Sequence, residues 1–193
     1  MNFKSFSFAP EIIQALDELN YHTLTPIQRA AIPAVRKGKD VLASAQTGTG
    51  KTAAFALPII QKLVESELST TNAPHALVLA PTRELAEQIA NNFRDFAKHT
   101  SLKVVSLFGG VSTAGQANAL KEGVDIVVAT PGRLFDHIRL GNLSLASVKH
   151  LVLDEADRML DMGFIEDMQN VIKSCAEERQ ILLFSATFPA AIK

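Results

Sequence analysis

The chain has 193 residues, 47% of them hydrophobic, which is enough to bury the core of one domain of ordinary to large size. Its 19 lysines and arginines balance 20 aspartates and glutamates, so a globally basic surface is excluded and any polyanion has to be held by local contacts. The single cysteine excludes an internal disulfide framework, and no cysteine and histidine cluster has the spacing of a zinc site.

The N-terminal segment lacks the long apolar run of a signal peptide. The most apolar stretch, AAFALPII at 53–60, is well below the roughly 20 residues that span a bilayer. We therefore expect no membrane partner. Low cysteine usage suits a reducing compartment, so we predict a cytoplasmic location.

Short apolar runs alternate with helical patterns along the chain. A helix should begin near Pro10, and a second, short one after Pro26. A polar loop is expected at 66–75. The apolar runs are VLASA (41–45), ALVLA (76–80), VVSLF (104–108), IVVAT (126–130), LVLD (151–154) and ILLFS (181–185). Runs that are apolar on both faces indicate a mostly parallel sheet with helices on both sides, so we predict one α/β domain over 1–193. Ligands of such sheets bind at the carboxyl ends of the strands.

The segment AQTGTGKT (45–52) lies between the first apolar run and a helical pattern. It meets the phosphate-loop pattern G-x-x-x-x-G-K-[ST], except that Ala45 replaces the first glycine. Backbone amides at Gly48 and Gly50 can face phosphate oxygens, Lys51 can reach the β- and γ-phosphates, and the Thr52 hydroxyl can bind Mg²⁺. The candidate nucleotide-binding residues here are Ala45, Gln46, Thr47, Gly48, Thr49, Gly50, Lys51 and Thr52.

Three carboxylates crowd the end of the fifth apolar run, in LVLDEADRML (151–160). Like charges repel, so a positive group is expected nearby, and a metal ion is one candidate. With the phosphate loop present, Asp154 is the expected Mg²⁺ ligand and Glu155 the group that orients or deprotonates water. Lys51 completes the predicted catalytic set. A solvated acidic helix start would also explain Asp157, although not all three acids.

The motifs AQTGTGKT, PTRELA, GG, TPGR, DEAD and SAT occur in the order and approximate spacing of the DEAD-box RNA helicases, and TPIQ (25–28) resembles their adenine-reading motif. The chain is identified as a member of this family over nearly its whole length, and it most resembles the bacterial RhlE-type branch. The resemblance implies an N-terminal RecA-like phosphate-loop domain with ATP and Mg²⁺ as cofactors and RNA as a partner.

The resemblance also implies roles for single residues near the adenine. Gln28 would hydrogen-bond the base, and its amide offers the donor and acceptor that the adenine edge requires. Tyr21 would stack on or beside the base, with ordinary packing as the alternative, and Phe3 would support the pocket. Two family positions differ, since Asn20 and Leu24 stand where glycine and proline are usual.

Asp157, Ser185 and Thr187 resemble the group that couples the nucleotide site to RNA, although the hydroxyls could instead cap a helix. The residues that resemble RNA-facing elements are Pro81, Thr82, Arg83, Glu84, Gly109, Gly110, Thr130, Pro131, Gly132 and Arg133. For Thr82 and Pro131, a helix cap and a first-turn proline are alternatives. With no tryptophan and one tyrosine, contacts to the RNA backbone are expected rather than base reading.

The chain ends at Lys193, soon after SAT, whereas the family has a second RecA-like domain that carries an arginine finger. We therefore expect that domain as a partner and a nearly inactive isolated half. The leading hypothesis is the motor half of an ATP-dependent RNA helicase. The alternatives are a nucleotide- or RNA-binding module without helicase activity and a DNA-directed motor. RNA-processing or ribosome-assembly partners cannot be named from these residues.

Overall fold

In the computed structural model, which describes residues 2–66 and 73–192, six strands pair in one parallel sheet. In chain order they are β1 (Val41–Ser44), β2 (Ala76–Leu79), β3 (Val104–Leu107), β4 (Ile126–Ala129), β5 (His150–Asp154) and β6 (Gln180–Ser185). Their order across the sheet is β1-β6-β5-β2-β4-β3, and every pair is parallel. Each predicted apolar run forms one of these strands, so the predicted parallel sheet is confirmed.

Eight α-helices connect and flank the strands within the described residues, after a short 3-10 helix at Phe3–Phe6. They are α1 (Pro10–Glu18), α2 (Pro26–Arg36), α3 (Lys51–Glu65), α4 (Arg83–Phe96), α5 (Thr113–Lys121), α6 (Pro131–Arg139), α7 (Ala156–Asp161) and α8 (Ile165–Ser174). The loop predicted at 66–75 falls largely on 67–72, which lie outside the described residues.

Local signals in the sequence start several of these helices. Thr25 and Gln28 form a reciprocal capping box at the start of α2. The Thr82 hydroxyl accepts a hydrogen bond from the Leu85 amide at 3.3 Å and so caps α4. Pro131 occupies the first turn of α6, where its missing N–H costs nothing. The cap and the proline predicted as alternatives at Thr82 and Pro131 are thus present.

The sheet divides the interior into two apolar cores. Val78 and Val152 face the core shared with α1 to α4, where Phe55 packs against Phe93 and Phe184 at ring-centroid distances of 6.1 and 5.3 Å. Leu77 and Leu151, one position earlier in the same strands, face the core shared with α5 to α8. Side chains of a strand alternate between faces, and burial of both faces explains why the strands are continuously apolar.

The strand order sorts the sequence motifs along the carboxyl edge of the sheet. AQTGTGKT follows β1, SAT lies at the end of β6, and DEAD at the end of β5, and these three strands are neighbours. PTRELA follows β2, TPGR follows β4, and GG follows β3, which form the other half of the sheet. We call these halves the phosphate half and the glycine-doublet half of the edge.

No helix in the described parts of the chain is both long and apolar enough to cross a lipid bilayer.

Candidate functional site

The phosphate loop is shaped by two glycines with left-handed backbone, Gly48 (φ 83°) and Gly50 (φ 78°), and α3 begins directly after them. A Cβ at position 50 would lie 2.6 Å from the Gln28 Nε2 atom, so the close approach of these segments also requires glycine. Ala45 is buried and has no positive φ, which explains why alanine fits where the pattern has glycine.

Lys51 supplies the positive charge that the acidic cluster requires. Its Nζ lies 2.9 Å from Asp154 Oδ1 and 3.9 Å from Glu155 Oε1. Asp154 is 0% exposed, and burial raises the pKa of its carboxyl while the Lys51 charge opposes the rise. The Asp154 Oδ2 atom is buried and has no hydrogen-bond partner among the described residues. One carboxylate oxygen is therefore left for a further cation or donor.

Glu155 has a left-handed backbone (φ 51°, ψ 50°) at the residue that precedes α7. Such a conformation is unfavourable for a residue with a Cβ and is tolerated where the surroundings enforce it, often at functional sites. The Arg158 Nη1 atom lies 3.5 Å from Glu155 Oε2, so the carboxylate is held between Lys51 and Arg158. Sequence reasoning missed Arg158, although its i,i+3 spacing from the acid was a usable signal.

A cavity of about 330 Å³ joins these segments in the phosphate half of the edge. It is lined by Ala45, Gln46, Thr47, Lys51, Glu155, Asp157, Arg158 and Ala186. The phosphate loop, the acidic strand end and the SAT segment thus meet in one space. Thr52 lies in the first turn of α3 and is not among the lining residues.

Asp157 is tied to the SAT segment by several hydrogen bonds. Its Oδ2 accepts from the Thr187 amide at 3.1 Å and from the Thr187 hydroxyl at 3.0 Å. The Asp157 amide donates to Ser185 Oγ at 3.0 Å, and that hydroxyl donates to the Thr187 carbonyl at 2.6 Å. Partial burial works to raise the pKa of Asp157, but hydrogen bonds to its carboxylate from the Thr187 hydroxyl and from the Arg158 and Thr187 amides outweigh it and hold the pKa below its usual value. The structure therefore brings Asp157, Ser185 and Thr187 together.

Gln28 lies against the phosphate loop. Its Oε1 accepts from the Thr25 amide at 2.9 Å, and its Nε2 donates to the Gly50 carbonyl at 3.0 Å. The residue is 2% exposed, and among the described residues its amide makes only these two bonds, which leaves one N–H and one lone pair for a ligand. Its adenine contact stays a prediction.

Phe3 and Tyr21 lie together, with ring centroids 6.2 Å apart, and Tyr21 also meets Phe96 edge-on at 5.7 Å. Phe3 is buried, whereas Tyr21 is 38% exposed. Both line a cavity of about 130 Å³. A separate cavity of about 560 Å³ lies between the first turn of α2 and the phosphate loop. Tyr21 packs on two rings and still presents surface, so stacking and ordinary packing both stay open.

The two departures from the family pattern fit their surroundings. Asn20 has φ 60°, a left-handed value that glycine adopts freely and that asparagine tolerates better than most residues. Leu24 is buried in the core of α1 to α4, and its carbonyl accepts a hydrogen bond from Arg29 Nη2 at 3.2 Å.

Two arginines contact the glycine-doublet loop, which we define as residues 108–111. The Arg83 guanidinium lies 5.0 Å from the centroid of the Phe108 ring, and a Cβ at Gly110 would be 2.7 Å from Arg83 Nη1. On the other side, Arg133 Nη1 donates to the Val111 carbonyl at 3.0 Å. Sequence reasoning missed Phe108, whose position directly before the two glycines was its signal.

The N-termini of α4 and α6 face the same edge because β2 and β4 are neighbours. The Thr130 hydroxyl makes no capping bond to α6, unlike Thr82 at α4. Glu84 and Gly132 are exposed in these first turns, and Pro81 is buried. Amides at helix N-termini favour anions, so phosphate can approach here, although Glu84 offsets part of that field.

Residues 25–193 match the family model described as DEAD/DEAH box helicase. The chain is 50% identical over 192 residues to "ATP-dependent RNA helicase DeaD" of Escherichia coli (strain K12), which covers 99% of this chain and 30% of that protein. It is 50% identical over 193 residues to the protein of the same name from Buchnera aphidicola subsp. Acyrthosiphon pisum, with 98% and 31% covered. The chain thus spans about a third of the curated relatives it matches. Both relatives carry the name DeaD, so the resemblance to the RhlE-type branch stays a prediction.

Two solved structures share this fold. One is a DEAD box protein from the hyperthermophile Methanococcus jannaschii, with a TM-score of 0.89 and 39% identity over 100% of this chain and 52% of that one. The other is a hypothetical ATP-dependent RNA helicase from Sulfolobus tokodaii, with a TM-score of 0.84 and 40% identity over 94% of this chain and 52% of that one. The predicted RecA-like fold is confirmed.

Proposed function

Because this chain belongs to the DEAD/DEAH box helicase family, we propose that it is the ATP-binding motor half of an ATP-dependent RNA helicase that hydrolyses ATP to unwind or remodel short RNA duplexes. The observation that carries the proposal is the 330 Å³ cavity in which the phosphate loop, the acidic strand end and the SAT segment meet. The cavity brings together Lys51, whose positive charge can bind phosphate, and Glu155, whose carboxylate can act on water. Asp157 lines the same cavity and connects it to the SAT segment.

In this proposal the phosphate-loop amides and Lys51 bind the nucleotide phosphates. Lys51 is engaged with Asp154 at 2.9 Å, so phosphate binding shares or replaces that ion pair. Glu155 accepts the proton of the attacking water, and Lys51 and Arg158 keep its carboxylate in place. Water is the nucleophile, so the protein mainly has to position groups and stabilise charge.

The residues present fit a magnesium ion. Asp154 Oδ2 is buried without a partner among the described residues, and Mg²⁺ prefers oxygen ligands such as carboxylates. No group of three or more histidine, cysteine or acidic side chains in the described ranges is arranged to hold a metal, which suits an ion that keeps waters and phosphate oxygens. Asp154 and Thr52 would hold the ion, which when bound neutralises charge on the phosphates.

RNA binds, in this proposal, along the glycine-doublet half of the edge through its sugar-phosphate backbone. Arg83 and Arg133 supply charge, and the exposed Gly109 and Gly110 let a strand approach the backbone closely. Pro81, Thr82, Glu84, Thr130, Pro131 and Gly132 form the helix starts beside them. These groups do not read bases, so we propose binding without sequence specificity.

A second RecA-like domain of the parent protein is the proposed partner. It would close over the cavity and supply an arginine finger, which is typically worth about 10³–10⁵ in rate. Asp157 is bonded to Thr187 and faces the cavity, and in the closed state it couples ATP binding to RNA binding. The isolated half is expected to bind nucleotide and hydrolyse it very slowly.

Measuring ATP turnover against added single-stranded RNA tests this function, for this chain and for a parent protein with the second domain. We expect strong RNA stimulation only with both domains, weaker stimulation by DNA of the same sequence, and strand separation of a short RNA duplex. Glu155→Gln in the two-domain protein should lower turnover by about 10²- to 10⁴-fold and preserve ATP binding. ATP binding without RNA-stimulated turnover in either protein would instead support a binding module.

A further inference from the structure

A buried glutamine anchors the glycine-doublet loop by a hydrogen bond from the protein interior. Gln116 lies on α5 and is 8% exposed. Its Nε2 donates to the Phe108 carbonyl at 2.9 Å, and its Oε1 accepts from Arg133 Nη1 at 3.1 Å. Since Arg133 Nη1 also donates to the Val111 carbonyl, the carbonyls on both sides of the two glycines are anchored.

The orientation of this amide is set by a chain of hydrogen bonds. His137 Nε2 lies 3.0 Å from Gln116 Oε1, and Asn142 Nδ2 lies 3.0 Å from His137 Nδ1. Because Gln116 Oε1 can only accept, His137 carries its proton on Nε2 and accepts from Asn142 at Nδ1. His137 is fully buried, and burial together with the Arg133 charge lowers its pKa, which keeps the ring neutral as this pattern requires.

The bonds run in one direction, from Asn142 through His137 and Gln116 to the Phe108 carbonyl. Bonds arranged in such a series polarise and strengthen one another. The loop they hold contains two exposed glycines, which lose much conformational entropy when they are ordered. Fixing the loop in advance removes that cost from RNA binding.

The same network fixes both arginines of the proposed RNA surface. Arg133 uses its Nη1 hydrogens inside the protein, and its Nε lies 3.8 Å from the Asp136 Oδ2 atom. The guanidinium is therefore held in a fixed plane, and the Nη2 donors are left for RNA. Arg83 lies over the ring of Phe108, whose carbonyl Gln116 holds. One amide therefore links the PTRELA, GG and TPGR segments.

We propose that Gln116 is a positioning residue for RNA: oriented by His137 and Asn142, it presets the glycine-doublet loop and Arg133 for the sugar-phosphate backbone. The inference rests on the proposed RNA-binding function and adds residues on α5 and after α6 to it.

The test compares variants of the whole chain by fluorescence anisotropy of a labelled single-stranded RNA, from about 50 to 200 mM salt. Gln116→Met removes the hydrogen bonds at similar volume and should weaken RNA binding about 10-fold. The slope of log affinity against log salt should stay unchanged, because Gln116 itself touches no phosphate. Arg133→Met should reduce that slope by about one. ATP affinity, measured by calorimetry, should not change in either variant.

Gln180→Met is the matched control. Gln180 is another buried glutamine, bonded to the Val35 and Lys39 carbonyls and to a histidine, but it lies at the amino end of β6. Its replacement should lower stability comparably and leave RNA affinity intact. Asn142→Ala keeps Gln116 and removes only the first donor of the series, with an expected two- to threefold loss of RNA affinity. It replaces Gln116→Met in the test if that variant folds poorly.

The double variant Gln116→Met/Arg133→Met should bind RNA more weakly than Arg133→Met, but by clearly less than the 10-fold expected for Gln116→Met alone, because Gln116 acts partly through the arginine and partly through the loop. Unchanged RNA affinity in Gln116→Met, or an equal loss in Gln180→Met, would overturn the inference while the RNA-binding function stands. A wild-type chain whose RNA binding is undetectable across this salt range would overturn the proposed function and the inference with it.

Discussion

Glycine variants are usually less stable than alanine variants, but the left-handed backbone at Glu155 predicts the opposite order at this position. At φ 51° and ψ 50°, a residue with a Cβ is disfavoured by about 1–2 kcal/mol relative to glycine. Glycine loses about 0.4–1 kcal/mol through the greater freedom of its unfolded chain. The net expectation is that Glu155→Gly is more stable than Glu155→Ala by about 1 kcal/mol.

Urea unfolding of the two variants at pH 7 measures this difference directly. Both lack the carboxylate near Lys51 and Arg158, so the lost ion pairs cancel in the comparison. In thermal unfolding, a gap of this size corresponds to a Tm difference of about 2–4 °C for a chain of this length. Glu155→Gln, which keeps the Cβ and the side-chain length, is the control for charge. An alanine variant as stable as the glycine variant would refute the assignment of strain to this residue.

Three further predictions each concern a single residue. Asn20→Gly should leave stability within about 0.5 kcal/mol, whereas Asn20→Ala should lose about 1 kcal/mol in urea unfolding, because φ is 60° there. Burial lowers the pKa of His150 from 6.5 to about 4, so the unfolded chain takes up the proton first and stability falls as pH drops through that window. The loss should reach about 2 kcal/mol at pH 5 and vanish in His150→Gln, measured by urea unfolding at pH 7 and pH 5. Thr187→Val removes a 3.0 Å hydrogen bond to Asp157 and should keep ATP affinity while lowering RNA stimulation of turnover about 10-fold in the two-domain protein.

The strands could be predicted because each carries its signal locally. Val78 and Leu77 are neighbours in sequence, yet each is buried, in opposite cores, so the run reads as continuously apolar. The order of the strands could not be predicted in the same way. β6 lies between β1 and β5, and that placement depends on packing between segments far apart in sequence.

The phosphate loop was predictable because its glycines and lysine are adjacent in the chain. The need for a cation beside Asp154 also followed from charge alone, whereas the identity of Lys51 as its partner depends on the fold. The Gln116 network left no sequence signal, because Gln116 and His137 are 21 residues apart and meet only when α5 and α6 pack. Their hydrogen bonds satisfy buried groups, a demand that appears only once the interior exists.

The single sheet has a mechanical consequence. The segments proposed for nucleotide and for RNA grow from strands that are hydrogen-bonded neighbours in one parallel array, with β5 and β2 side by side at the border. Such an array resists internal shear, so these two halves of the sheet edge cannot slide apart to pull on an RNA strand. If the chain acts on RNA as proposed, the force has to come from displacement of this whole domain against the proposed second domain, and bound ATP would set how tightly the two domains are held together.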